Sequence, residues 1–292
     1  MSKLIVIDGG NIQFRAIFAY SAQYKTELKH IIYSHNTINE LGEEELGEEV
    51  YSEEEAREIL DGKIENREIF VMNPCITYLK MIIGYLKKIE VTLDDKIIIA
   101  EDYGSWRKDI DKNYKAQRKD YRESKEDADF WRDTFKNFNE LIPKLEQCLP
   151  WNFVKIYKME ADDVASVAIR FLEADEKVLV SSDEDWQMLC SFPNVRVFSP
   201  YTKKYKEVKN PEKILIKKIK GDISDNLLEV PKTDAEWEKR KMIVDLTHLP
   251  QHIEQIIRPV IETLPMKNLL INKVPFRSCQ EELKKLYKLN DN

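Results

Sequence analysis

The sequence predicts an α/β fold: a mostly parallel central sheet flanked by helices, with a small helical C-terminal lobe. Two observations lead there. The strand-length runs "KLIVID", "DDKIIIAED" and "KVLVSSDED" are apolar at consecutive positions, as strands covered on both faces are, and each ends in a carboxylate. Helix-periodic segments separate them, which is the alternation of a parallel sheet.

In chain order, "KLIVIDGGN" is a buried first strand with Asp8 at its carboxyl end. Ser52 and Glu55 have capping-box spacing, so "EEEAREILDG" reads as a short helix ended by Gly62. "NPCITYLKMIIGYLKKI" places Ile76, Leu79, Ile82 or Ile83 and Leu86 on one helix face, before the strand that ends in Glu101 and Asp102. "PKLEQCLPWN" looks helical, "FVKIY" a strand, "EADDVASVAIRFLEAD" a helix. "KVLVSSDED" is the next strand, "DWQMLCSF" follows, and "VRVFSP" closes the pattern. The expected division is a core over residues 1–228, with an acidic insertion at 38–66 and a basic region at 103–135, and a helical region over 229–292.

Composition narrows the class. The 292 residues carry a net charge of −7, but twelve acids face only Arg57 and Lys63 within 38–66, so the rest of the chain is mildly basic. The insertion is read as a solvated surface helix and loop, or as a segment that repels nucleic acid or docks on a basic partner. No apolar run approaches the roughly 18 residues of a membrane span, and no secretion or targeting signal is expected. Cys75, Cys148, Cys190 and Cys279 form no CxxC pair and the four histidines no cluster at zinc-ligand spacing, so reduced thiols, an intracellular compartment and no zinc are expected.

In open parallel sheets the ligand site lies outside the carboxyl ends of the strands. Asp8, Asp102, the pair Glu160 and Asp163 with Asp162 beside them, and Asp183 with Asp185 are all placed to meet there. So many carboxylates in one pocket need cations to offset them. With oxygen donors only, hard divalent ions fit, namely two Mg2+ or Mn2+. Two such ions clamp the attacking and leaving oxygens of a phosphodiester.

"IVIDGGN", "EDYGSWRK", "NYKAQRKDYR", "MEADDVASVA", "VLVSSDEDWQML" and "KGDISDN" resemble, in order, the motifs of the 5′-nuclease superfamily: flap endonucleases, 5′-exonuclease domains of bacterial polymerases and phage RNase H. The phage RNase H branch is most similar, through "DEDWQMLCSFPNVRVFSPYTKKYKEV" and "MIVDLTHLPQHIEQIIRPVIETLP". The resemblance implies a PIN-like core and a two-metal phosphodiesterase with 5′–3′ exonuclease, structure-specific endonuclease and RNase H-like activity. Asp8, Asp102, Glu160, Asp162 and Asp183 match the acids of the first metal cluster. Asp163, Asp185, Asp222 and Asp225 match those serving the second ion or its waters. Lys115 and Arg118 match a cationic pair at the scissile phosphate, and Arg107 another phosphate-facing position. With Asp183, Lys115 and Arg118 make the expected catalytic set.

Residues 106–125 interleave Lys and Arg with Trp106, Tyr114 and Tyr121, as where a single strand passes cations and stacking platforms. Arg107, Tyr114, Lys115, Arg118, Lys119 and Arg122 are the expected nucleic-acid contacts, Tyr114 by stacking on a base or an arch residue. Family members follow the second acid pair with a glycine-containing helix-hairpin-helix that grips the duplex. "NLLEVPKTDAEWEKRKMIVDLTHLP" contains no glycine, so that element is expected to be missing. The expected partner is nucleic acid, as a 5′ flap, an RNA–DNA hybrid or a single strand, with replication proteins in addition. A cytoplasmic monomer is expected, in the infected host cell if phage-encoded. Two alternatives stay open: a nuclease for single strands with little duplex requirement, and a catalytically silent binding or scaffold protein.

Overall fold

The computed structural model of the chain describes residues 2–33, 37–38, 44–45, 47–65, 73–117 and 128–289. Its centre is a six-stranded sheet built from β1 (Lys3–Asp8), β4 (Lys96–Glu101), β5 (Trp151–Lys155), β6 (Glu176–Val180), β7 (Val195–Ser199) and β8 (Lys204–Tyr205), in the order β5-β4-β1-β6-β7-β8. All pairings are parallel except that of the edge strand β8 with β7. A separate two-stranded antiparallel ribbon, β2 (Thr37–Ile38) and β3 (Glu44–Glu45), lies at the start of the acidic insertion.

Alternation along the central strands explains their unbroken apolar runs. Ile5, Ile7, Ile97 and Ile99 enter one core, while Leu4, Val6, Ile98 and Ala100 enter the other. The first core is covered by α1 (Gly9–Ile32), α3 (Pro74–Ile89) and α5 (Ala128–Glu146). The second is covered by α6 (Ala161–Phe171) and the 3-10 segment Asp185–Ser191. Asn73 caps α3 by accepting from the Cys75 N–H, and Pro74 opens the helix where its missing N–H is harmless.

Several boundaries differ from expectation. The 24-residue helix α1 has no counterpart among the expected elements, because its buried positions stop at Ile17 and resume only at Leu28, leaving no sustained apolar stripe. The helix read at 143–152 instead spans 128–146, with Pro143 inside it. Trp151 and Asn152 belong to β5. Gly62 lies within α2 (Glu53–Glu65) rather than after it. That helix does start at the Ser52 and Glu55 pair, where the Ser52 N–H donates to the Glu55 carboxylate at 3.0 Å.

The C-terminal residues enclose no core of their own. Helix α8 (Asp234–Val244) packs on α7 (Pro211–Lys220). Helix α9 (Gln251–Glu262) sends Ile253, Ile257 and Ile261 into the second core. Helix α10 (Arg277–Leu286) sends Cys279, Leu283 and Leu286 into the first. The boundary drawn at residue 228 therefore separates no packing unit, since the later helices complete the two layers that sandwich the sheet. Among the described residues no helix is long and apolar enough to cross a membrane.

Candidate active site

Parallel register brings the strand tips to one edge. Asp8 ends β1 opposite Ala100, and Ile7 pairs with Val180, so Asp102 and Ser181 to Asp183 emerge beside Asp8. Gly9 is required at this turn: a Cβ there would lie 2.3 Å from Glu101 Oε1 and 2.9 Å from the Ala100 carbonyl oxygen. Helix α6 begins at the same edge, where the Ala161 N–H donates to Asp102 at 2.8 Å.

A first group gathers Asp8, Asp102, Glu160, Asp162 and Asp183. Asp8 accepts from the Asn11 N–H at 2.9 Å and the Ser181 hydroxyl at 2.8 Å. Burial pushes its pKa up to about 7 against those hydrogen bonds, with Asp102 and Asp183 adding to the rise. Burial, reinforced by Glu160, likewise raises Asp102. Asp162 is pushed well above the usual range, by burial and then by Asp183, Glu160 and Asp102, although Lys115 opposes the shift. The Trp186 indole donates to Asp162 at 2.6 Å and fixes it from behind. Asp183 is exposed and accepts from the Asp185 N–H at 2.9 Å.

A second group is formed by Asp185, Asp222 and Asp225, each with a carboxylate oxygen within 4.8 Å of the others. Lys218 lies against it, with Nζ 2.7 Å from Asp185 Oδ1 and 2.6 Å from Asp222 Oδ2. Burial, aided by Asp183, raises Asp185 to about 7 despite that ammonium. For Asp222 burial is outweighed by Lys218 and Ser224, which hold its carboxyl below the usual range.

Lys115 links the two groups. Its Nζ is 2.6 Å from Glu160 Oε1 and 3.8 Å from Asp225 Oδ1. Its backbone, at φ 55°, donates to the Asp225 carbonyl at 3.0 Å. The Asn226 amide donates to the Asn113 carbonyl and the Gln117 amide to the carbonyls of Ile223 and Ser224, so residues 113–117 are strapped to the Asp222–Asn226 turn. For Glu160, burial raises the carboxyl, but Lys115 and Arg107 together outweigh it and hold it low.

Three expected site residues are buried and face no substrate. Asp163 is fully buried, accepts from the Glu160 N–H at 2.9 Å and the Trp106 indole at 3.1 Å, and pairs with Arg107 at 2.8 Å. It caps α6 and holds an internal cation, so its carboxylate is not turned to the acid groups. Arg107, 2 % exposed, cannot face a phosphate: it is enclosed by Asp163, Glu160 and the Ile243 carbonyl of α8. Tyr114, also 2 % exposed, cannot stack on a base. Its hydroxyl lies 3.1 Å from Glu160 and 3.2 Å from Asp225, beneath the acids. Arg118, Lys119 and Arg122 lie outside the described residues.

Lys218, Ser181 and Trp186 were missed as supports of the acids. Lys218 was legible, because it lies in the last turn of α7, four residues before Asp222, which follows just past the helix end. Ser181 and Trp186 carry no such local signal. The donors are all carboxylate oxygens, several of them driven toward the protonated form by burial and mutual repulsion, and that set fits hard divalent cations.

A family model described as the 5′–3′ exonuclease, N-terminal resolvase-like domain, matches residues 58–219, more than half of the chain. The chain belongs to this family. It is similar to the ribonuclease H of Enterobacteria phage T4, 28% identical over 206 residues that span 68% of this chain and 66% of that protein. Among solved structures it is similar to a flap endonuclease of bacteriophage T5, determined as a pseudo-enzyme–product complex with DNA and metal ions, with a TM-score of 0.50 and 17% identity over 97% of this chain and 87% of that one. The T5 5′-exonuclease with divalent zinc ions bound gives a TM-score of 0.47 and 16% identity over 98% of this chain and 94% of that one. The first T5 structure supports the α/β architecture.

Proposed function

We propose that the protein is a divalent-metal-dependent 5′-nuclease that removes RNA primers or 5′ flaps during DNA replication. The observation that carries this reading is the convergence of two carboxylate groups at the carboxyl edge of the sheet, linked by Lys115. Asp8, Asp102, Glu160, Asp162 and Asp183 would hold one Mg2+ or Mn2+ ion, and Asp185, Asp222 and Asp225 the second. Such ions would lower the pKa of water and offset charge on the phosphoryl oxygens.

The chain's own residues do the rest. Ser181 and the Asn11 N–H orient Asp8, Trp186 orients Asp162, and Ser224 and Lys218 orient Asp222. Lys115 Nζ stands where an ammonium can meet developing negative charge on a scissile phosphate. Arg118, Lys119 and Arg122 are proposed as further contacts to substrate phosphates.

One observation favours a reduced duplex requirement. Between Asn226 and Gln251 the chain holds the single helix α8, packed on α7 and closed over Arg107, where a hairpin of two helices would grip a duplex. The test uses labelled 5′ flap, nicked duplex, RNA–DNA hybrid and single strands, with Mg2+, Mn2+ or EDTA. Metal-dependent cutting of flaps and hybrids is expected. Equal cutting of single strands would instead select the duplex-independent nuclease, and binding without any cutting the silent protein.

A further inference from the structure

We propose that Tyr103 and Tyr157 form a stacking platform for a nucleobase of the substrate strand, with Lys155 beside it for the adjoining phosphate; this rests on the nuclease reading above. The two rings meet edge to face, with centroids 5.6 Å apart at 79°. They remain open to solvent, Tyr103 at 51% and Tyr157 at 69%.

Their backbones are fixed. The Tyr103 N–H donates to the Met159 carbonyl at 2.9 Å, the Lys158 N–H to the Tyr103 carbonyl at 2.7 Å, and the Trp106 N–H to the Lys158 carbonyl at 2.8 Å. Gly104 allows this pairing: it takes φ 89°, and a Cβ there would lie 3.6 Å from the Lys158 Cα. An aromatic surface on a pinned backbone loses little conformational freedom when a base lands on it.

Charge and position select a nucleic acid as occupant. Lys155 Nζ lies 5.4 Å from the Tyr103 ring centroid and 3.2 Å from the Asn139 amide oxygen, so a cation borders the platform. Lys158 is paired with the Asp109 carboxylate at 2.7 Å, whereas the Lys155 ammonium is held by the neutral Asn139 amide, which leaves Lys155 as the cation for a phosphate. Tyr103 follows Asp102 directly, with Cα atoms roughly 3.8 Å apart. The Tyr103 backbone also pairs with Lys158 and Met159, which lead into Glu160, so the platform borders the segments that carry the first carboxylate group. Base stacking of this kind is sequence-tolerant, because every base presents a π face.

The test measures binding, separately from cleavage. Fluorescence anisotropy of a labelled single-stranded oligonucleotide in EDTA is compared for the full chain, for the double variant Tyr103→Ala/Tyr157→Ala, and for Tyr103→Phe/Tyr157→Phe. The alanine pair is expected to weaken binding about tenfold or more, while the phenylalanine pair holds it within about twofold. An abasic site moved along the oligonucleotide should cost the full chain affinity at one position and cost the alanine pair nothing there. Unchanged affinity in the alanine pair, absence of an abasic-sensitive position, or loss of a protein partner instead of nucleic acid would each overturn the platform. If the alanine pair binds weakly but no substrate is ever cut, the platform stands and the nuclease reading fails. If the alanine pair cuts with an unaltered KM, the nuclease reading stands and the platform fails.

Discussion

Arg107 and Lys115 lie eight residues apart in one basic stretch, yet they have different tasks. Arg107 is buried between Glu160 and Asp163, whereas Lys115, at 15% exposure, bridges Glu160 and Asp225. Removing one partner of a buried ion network strands the others, so Arg107→Met should cost about 3–5 kcal/mol in urea unfolding. Lys115→Ala should cost less stability than Arg107→Met, because Arg107 still faces Glu160, and should slow cleavage by about 10²–10³-fold. A Lys115 variant that cuts normally would misplace the reaction. Composition could not separate the two residues, because burial of Arg107 depends on Asp163 and on Ile243, both distant in sequence. The spacing of Glu160 and Asp163 did carry the capping signal that assigns Asp163 to its helix. The strand-tip acids were legible because parallel strands bring their carboxyl ends to one edge, although Glu101, the last residue of β4, is buried and accepts from Gln13 instead.

Elements were legible where a face is continuous. Strands β1, β4 and β6 are apolar throughout because the two cores claim alternate residues, and α3 keeps a full stripe. Helix α1 was missed because Phe18 and the turns after it face outward before Leu28 and Ile32 meet Ala56 and Leu60 of α2. That small satellite core fastens the helix of the acidic insertion to α1. Leu60→Asp should release it: amide exchange should rise in 53–65 and near 28–32, with cleavage within about twofold of the parent. Loss of cleavage in this variant would show that the insertion acts on the site. The C-terminal helices were read as a lobe because their apolar stripes name no partner, and two faces of one sheet were available to them.

The molecule as a whole couples folding to its acid edge. Asp8 and Asp185 rise from 3.8 to about 7 in the folded chain, so the native state holds more protons than the unfolded one between those values. Their contribution to stability is full below about pH 4 and is lost as pH rises through about 7. Glu160 and Asp222 are held low, so theirs is present above their unfolded values and lost as pH falls. Metal-free protein should therefore melt highest near about pH 5 and lower at about pH 7.5. Added Mg2+ should raise the Tm more at the higher pH, because the cation takes the place of those protons. A Tm that climbs steadily to about pH 8 without metal would contradict this coupling.

The central claim is that these carboxylates hold the cations that cut phosphodiesters. Mn2+ titration followed by electron paramagnetic resonance, run beside cleavage of a labelled 5′ flap, tests it directly. Two bound ions are predicted for the parent chain and one for Asp185→Asn/Asp222→Asn, with cleavage lost in that variant and in EDTA. A parent chain that binds no Mn2+, or a variant that cuts as the parent does, would contradict it.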